Sequence, residues 1–239
     1  MTTWTPRALA SEARRYSHEL WRVVEAQHTA STMRLTDSLE EQASLELVLE
    51  ESKPPLPPAA RRLHYLLATP FRYRPHISSR FRAPLEAGVW YGAELLRTAL
   101  AEKSYWRLRF LLDSPATPDL LKPVPHTAFG AAVRTAAAVD LTVAPLARDA
   151  SVWTHRVSYQ GTQALAALAR QAQIQLIRYQ SVRDPEHAAC AAVLDPAPFG
   201  RGKPHSQHTW FIAASRARVR CAQDERGGAS WEFTREQLV

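Results

Sequence analysis

Apolar residues near the start of the chain recur at three- and four-residue steps, Leu9, Ala13, Tyr16, Leu20 and Val24, and this spacing predicts a helix from Pro6 to about His28. A second helix is predicted from Asp37, read as its N-cap, through Leu39, Ala43, Leu47 and Glu50, so that the two form a helical pair. KPPLPP, residues 53–58, closes this region, because proline removes backbone donors and disfavours the α basin in the residue before it. A short helix is then predicted over Arg61–Leu67, followed by the basic aromatic stretches FRYRP and ISSRFRAP. AGVWY, residues 87–91, reads as a short buried strand, with Gly92 allowing an abrupt turn into a helix from Glu94 to about Phe110.

The segment LLDSPATPDLLKPVPHTAFG carries four prolines and is predicted to be a loop. Beyond it, residues 152–157 read as extended and Gln163–Gln173 as an alanine-rich helix, while IQLIRY and AACAAVLDP read as strands. Residues 200–207 form a predicted loop, TWFIAAS a predicted edge strand, and VRCAQDERGGASWEF a terminal hairpin about its two glycines. No internal repeat is visible. Helix and strand alternate over a length that can bury a full core.

Composition narrows the class. The chain has 239 residues, 46% of them apolar and 22% charged, which is too apolar for a largely disordered protein. There is no run of eighteen apolar residues, and the first twenty lack the apolar core of an export signal, so the expectation is a cytoplasmic protein that does not enter a membrane. Cys190 and Cys221 have no metal-ligand spacing and are read as reduced thiols, with no metal expected. The net charge of +7 favours phosphate-bearing partners in general, but arginine is scattered in short clusters with no nucleic-acid reading module, so specific nucleic-acid binding is not expected.

Four positions could carry chemistry. Helical stepping puts Glu102 beside Leu95, Ala99 and Trp106 at the margin of an apolar face, where a carboxylate needs a partner or a ligand; a solvated helix edge is the alternative. Arg80, with Arg72, Arg74 and Arg82, could hold a pyrophosphate among aromatic rings, or could form surface ion pairs. Tyr91 ends the predicted strand and could line a pocket or belong to the core. Ser181 follows the IQLIRYQ strand without the surroundings of a nucleophile. The chain contains no G-x-G-x-x-G, Walker A, H-E-x-x-H or EF-hand motif.

These residues resemble the RES-domain family, named for its arginine, glutamate and serine. The likeness runs from about Trp21 to Phe199 and is carried by SRFRAPLEAGVWYGAELLRTALAE, DLT, WTH, TQALA and IRYQSVRDPEHAACAAVLDP. The first block corresponds to a family pattern like G-R-W-N followed by Y-x-A-E-x-x-x-x-A-L-x-E, which places Arg80, Tyr91 and Glu102; the second places Ser181. SerArgPheArg stands where GlyArgTrpAsn is usual, and Gly92 replaces a more common threonine. The resemblance implies an α+β fold with an ADP-ribosyltransferase-like split β-sheet core, here with an N-terminal helical extension over 1–58 and a catalytic domain over 59–239.

It also implies a toxin that cleaves NAD, its substrate, at the nicotinamide–ribose bond. Phosphate or water is the implied acceptor; the alternatives are a mono-ADP-ribosyltransferase with a protein target and a catalytically weak binding protein of the same fold. Arg80, Tyr91, Glu102 and Ser181 would be catalytic, and Arg72, Arg80, Tyr91 and Ser181 would hold NAD. The implied partner is a cognate helix-turn-helix antitoxin, with homo-oligomers also conceivable.

Overall fold

The computed structural model describes residues 3–26, 35–200 and 202–239. Helix α1 (Pro6–Ser11) starts where Thr5 accepts the Ala8 amide and Pro6 occupies the first turn, and it ends after six residues. The chain then turns into strand β1 (Arg14–Glu25), which corrects the helix predicted to His28; the end of that prediction lies outside the described residues. The reason is arithmetical. Tyr16, Leu20 and Val24 are four apart, and four residues return to the same face of a strand as well as to nearly the same face of a helix. Tyr, Trp and two adjacent valines tip the choice towards the pleated form.

Helix α2 (Leu39–Glu51) is capped by Ser38 and not by Asp37, and buries none of its residues. Helix α3 (Tyr65–Arg72) starts four residues later than Arg61 and follows a 3-10 turn at Pro58–Ala60. Strand β2 (Trp90–Ala93) leads into α4 (Leu96–Asp113). Gly92 lies inside this strand and makes no turn there. A Cβ on it would come within 2.4 Å of the Trp90 ring, so its role is to make room for that indole.

The predicted four-proline loop is half wrong. Strand β3 (Leu120–Asp140) begins inside it, and its register against strand β6 (Ser206–Ser215) is broken between Leu121 and Val124, where Pro123 sits. Residues 152–157 are not extended either: Ala150–Trp153 form α5, followed by α6 (Gln160–Gln171). Strands β4 (Leu176–Gln180) and β5 (Ala189–Val193), and the hairpin of β7 (Arg218–Gln223) and β8 (Ser230–Thr234), match their predictions; α7 (Arg235–Leu238) closes the chain. β6 lies between β3 and β7 and is not an edge strand.

The sheet runs β1-β2-β5-β4-β3-β6-β7-β8, and β1 also pairs with β3 over most of its length. The first five strands of that order therefore close into a circuit, and β6, β7 and β8 extend it from β3. Residues 14–25 are thus part of the sheet and not of a helical extension, a correction to the N-terminal reading. The long β3 can serve three neighbours because different stretches of it face β1, β4 and β6.

Three clusters fill the interior. Leu9, Val139, Leu165 and Ile177 pack beneath α1 and α6; Leu67, Trp90, Phe129 and Phe199 beneath α3; Leu100, Leu108, Trp210 and Phe233 beneath α4. Trp90 is fully buried, with edge contacts to Phe199 and Phe129 at 5.1 and 6.4 Å. Each such ring contributes about 1.5–3 kcal/mol of burial free energy. Among the described residues no helix is long and apolar enough to cross a membrane. The fold is mixed α+β.

Candidate functional site

A cavity of about 670 Å³ opens between α3, α4 and the circuit of strands, lined among others by Arg22, Arg80, Tyr91, Glu102, Tyr179 and Arg183. Its volume suits a sizeable small-molecule ligand. Tyr91 reaches it from β2, and its hydroxyl accepts the Phe81 amide at 3.0 Å and shares a hydrogen bond with Ser79 Oγ at 2.8 Å. That hydroxyl therefore anchors the tight 79–82 turn, which carries Arg80.

The same turn is held from the other side by α6. Thr162 Oγ1 donates to the Arg80 carbonyl at 2.5 Å, and Gln163 Nε2 donates to the Ser79 carbonyl at 2.9 Å. The Arg80 guanidinium donates to the carbonyls of Trp153 and His155 at 2.9 and 3.0 Å and lies 4.7 Å from the centre of the Tyr159 ring. The WTH and TQALA segments thus share a task besides their core packing, fixing Arg80 at the cavity wall.

Glu102 projects from α4, two turns in. Ser181 follows β4, where its Oγ accepts the amides of Arg183 at 3.2 Å and Asp184 at 3.0 Å. Both lone-pair directions being occupied, its proton points away from them, and Ser181 Oγ donates to Glu102 Oε1 at 2.6 Å. The loop is held by Asp184, whose buried carboxylate accepts Thr98 Oγ1 at 2.7 Å and pairs with Arg97 at 2.7 Å. Burial pushes the Glu102 carboxyl above the ordinary carboxylate value; the Ser181 hydrogen bond, Arg80 and Arg183 pull it back, while Asp184 raises it.

The structure brings Arg80, Tyr91 and Glu102 to one cavity, with Ser181 directly behind Glu102. Ser181 is completely buried and does not line the cavity; its hydroxyl meets the Glu102 carboxylate from behind the wall. Arg72 is elsewhere. Its Nε donates to the Pro54 carbonyl at 2.5 Å and its Nη1 pairs with Glu50 at 2.6 Å, on the outer side of α3. The reading of Arg72 as a cavity residue does not hold, because α2 supplies the carboxylate that takes up its charge.

Sequence reasoning missed several lining groups. Arg22 on β1 donates to the Tyr91 carbonyl at 2.9 Å and sits 5.4 Å from the centre of the Trp90 ring; burial pushes its guanidinium down to about 10. Lys103, next to Glu102, is lowered by burial, with Glu25 raising it and Arg107 and Arg22 lowering it. Arg183 lies 3.7 Å from the centre of the Tyr105 ring and donates to the Arg156 and Leu238 carbonyls. Arg22 was hidden within a stretch read as helix; Lys103 and Arg183 were visible only as neighbours of Glu102 and Ser181. Among the described residues no group of three His, Cys, Asp or Glu side chains is placed to hold a metal.

The model of the RES domain matches residues 56–213. Among solved structures, the chain is similar to one in the crystal structure of the M. tuberculosis MbcT–MbcA toxin–antitoxin complex, at 14% identity, a TM-score of 0.46, and 95% and 92% coverage of this chain and that one. Comparison with curated proteins finds none that matches.

Proposed function

The chain belongs to the RES-domain family, and on that premise we propose that it is a toxin-like enzyme that cleaves NAD at the bond between nicotinamide and ribose, with phosphate or water as acceptor. The observation that carries the reading is Glu102: a carboxylate at a cavity wall, held by one hydroxyl and, among the described residues, by no cation in ion-pair contact, with Arg80 at the wall of the same cavity. Such a group offers unspent negative charge where a positive centre can develop.

In the proposed reaction the C1′–N1 bond breaks heterolytically, its electron pair going to the nicotinamide nitrogen, which becomes neutral. The ribosyl carbon takes on oxocarbenium character, stabilised by ionised Glu102, and an oxygen of phosphate or water closes on it; water then gives up a proton to solvent. The chain needs no covalent adduct, since its residues act by position and charge. Tyr91 packs beside the nicotinamide, Arg80 faces the anionic part of the substrate, and Ser181 keeps Glu102 in place. The family resemblance adds a helix-turn-helix antitoxin whose terminal segment covers this cavity, and a likeness of the sheet core to that of ADP-ribosyltransferases.

The test is release of nicotinamide from NAD by purified protein, with and without phosphate. Release that depends on phosphate identifies phosphorolysis, and release without it identifies hydrolysis. Folded protein that liberates none in either buffer overturns the reading.

A further inference from the structure

Two helical faces of the molecule stand open to water, and they are opposite in charge. On α2, Leu39 and Leu47 are 79% and 64% exposed, and with Ala43 they recur every fourth residue along one side of the helix. The helix carries five glutamates and no cation, in a chain whose net charge is +7. Lys53 and Arg72, the cations that reach it, both pair with Glu50. Thirteen residues make a marginal helix in water, and this one buries none of them. It precedes the stretch that matches the RES domain.

The second face belongs to α4. Trp106 and Phe110, again four apart, are 50% and 58% exposed, whereas Leu100, Leu108 and Leu111 of the same helix are buried. Trp106 is braced edge-on by Tyr105 at 5.2 Å. Lys103 and Arg107, also four apart, run beside the two rings. Glu25 attracts Lys103, but Arg107 and Arg22 both act on it as like charges, so cations outnumber that carboxylate here. Glu102, in the cavity, has Arg80 and Arg183 acting on it, and the pair of Arg109 with Asp113 adds no net charge.

We propose that these faces are the two halves of one contact between two copies of the chain: α2 of each copy lies along Trp106 and Phe110 of the other, its glutamates towards Lys103 and Arg107. Apolar area leaves water on both sides, and opposite charges meet at the rim. Pairing α2 with α2 would instead set glutamates against glutamates, and pairing α4 with α4 would set cations against cations. Both faces flank α3, to which Arg72 ties α2 and which lines the cavity opposite α4. A two-fold axis can thus make both contacts at once and stop at a dimer. Trp106 also lines the cavity, so the dimer covers its mouth. The readout of that cover rests on the proposed NAD reading; the dimer itself does not.

Sedimentation velocity from about 1 to about 100 micromolar protein should show monomers passing into dimers. Leu47→Lys and Phe110→Glu each bring like charges together in both contacts, and each alone should weaken association by about tenfold or more. Mixed one to one, they should associate again. The intact α2 of the Phe110→Glu copy meets the intact α4 of the Leu47→Lys copy, and in the second contact the new charges are opposite. Both positions are more than half exposed, so both variants should fold, as circular dichroism can check. Nicotinamide release per molecule should fall as wild type dimerises and stay constant in either variant alone, since neither residue lines the cavity.

Wild type that stays monomeric over this range overturns the contact and leaves the two faces to a different protein. Association that both variants leave unchanged, that mixing fails to restore, or that grows past a dimer overturns it as well. Dimers that release nicotinamide as fast per molecule as monomers do overturn the cover of the mouth. Protein that dimerises as described but releases no nicotinamide at any concentration supports the contact and removes the NAD reading.

Discussion

Two arginine-centred regions of the molecule dispose of their charge in opposite ways. Arg178 on β4 donates to both oxygens of Glu94 at 2.7 and 3.0 Å, and its third nitrogen meets Asp140 at 3.2 Å and Thr142 at 2.8 Å. Hydrogen bonding to Glu94 raises its guanidinium above the ordinary value, against the lowering effect of burial. Arg22, Arg80 and Arg183 are held instead by backbone carbonyls and aromatic rings, and burial drives Arg22 the other way. Glu102, for its part, has a hydroxyl where Glu94 has an arginine. Charges matched by charges tie the circuit of strands together. Charges held in place by neutral dipoles remain available, and here they surround a cavity.

Removing the charge of Glu102 should therefore hurt function and help stability. Glu102→Gln should lower nicotinamide release by about a hundred- to a thousandfold, some 2.7–4 kcal/mol of barrier, the scale for a preorganised electrostatic group. Burial raises the folded-state value of this carboxyl, so its favourable contribution is present below the unfolded value and is lost as pH rises through the folded one. At neutral pH the ionised carboxylate is consequently a cost. Glu102→Gln should melt a few degrees higher, about 2–4 °C for each ~1 kcal/mol gained in a chain of this size. Release by wild type should fall as pH drops through a value above 4.5. Calorimetry at pH 7 and a rate profile from acid to neutral pH check both, and a variant that melts lower while releasing nicotinamide normally would erase the contrast between the two regions.

The opposite outcome is expected at Glu94. Burial alone would raise its carboxyl, but the hydrogen bond and charge of Arg178 outweigh burial and leave it below the ordinary value. Its stabilising contribution is then present above the unfolded value and lost as pH falls through the folded one. Glu94→Gln strands the Arg178 charge on Asp140 alone and should cost about 2 kcal/mol, discounted from the 3–5 of a fully buried pair because both side chains keep some solvent. Nicotinamide release per folded molecule should stay within about threefold of wild type. Denaturant titration at pH 7 and pH 4 should show the gap between variant and wild type narrowing with acid.

How much of this was legible in the sequence depended on whether a local signal had one meaning. Tyr91 and Glu102 were readable because a short apolar run followed by a long helical pattern marks a strand and a helix face together, although the strand runs Trp90–Ala93 and Tyr91 lies within it and not at its end. β1 was not, since steps of four fit both periods, and with it Arg22 was lost to view. β3 was hidden by Pro123 and Pro125, which mark breaks locally but are absorbed by a register shift against β6 that only long-range pairing creates. Ser181 was found by position, but its burial behind Glu102 was not legible, because the two amides that orient its proton belong to a turn no periodicity reports.

Arg72 and Arg80 are the closest test of the same difference, since eight residues apart in one basic aromatic stretch they look alike in sequence. Arg80 enters the cavity wall, whereas Arg72 spends its charge on Glu50 and its Nε on the Pro54 carbonyl, joining α2 to α3. α2 buries none of its residues, and these two contacts hold its C-terminal end against the body. Arg72→Ala should therefore leave the Michaelis constant for NAD within about twofold of wild type, because no ligand contact is removed. It should instead free the end of α2, speeding cleavage after Glu50 and Glu51 by a glutamate-specific protease about two- to fivefold through easier local opening. Arg80→Ala, compared in the same two assays, should raise the Michaelis constant and leave that cleavage rate unchanged. A rise in the Michaelis constant for Arg72→Ala as large as that for Arg80→Ala would mean that the arginine bound to Glu50 also serves the cavity.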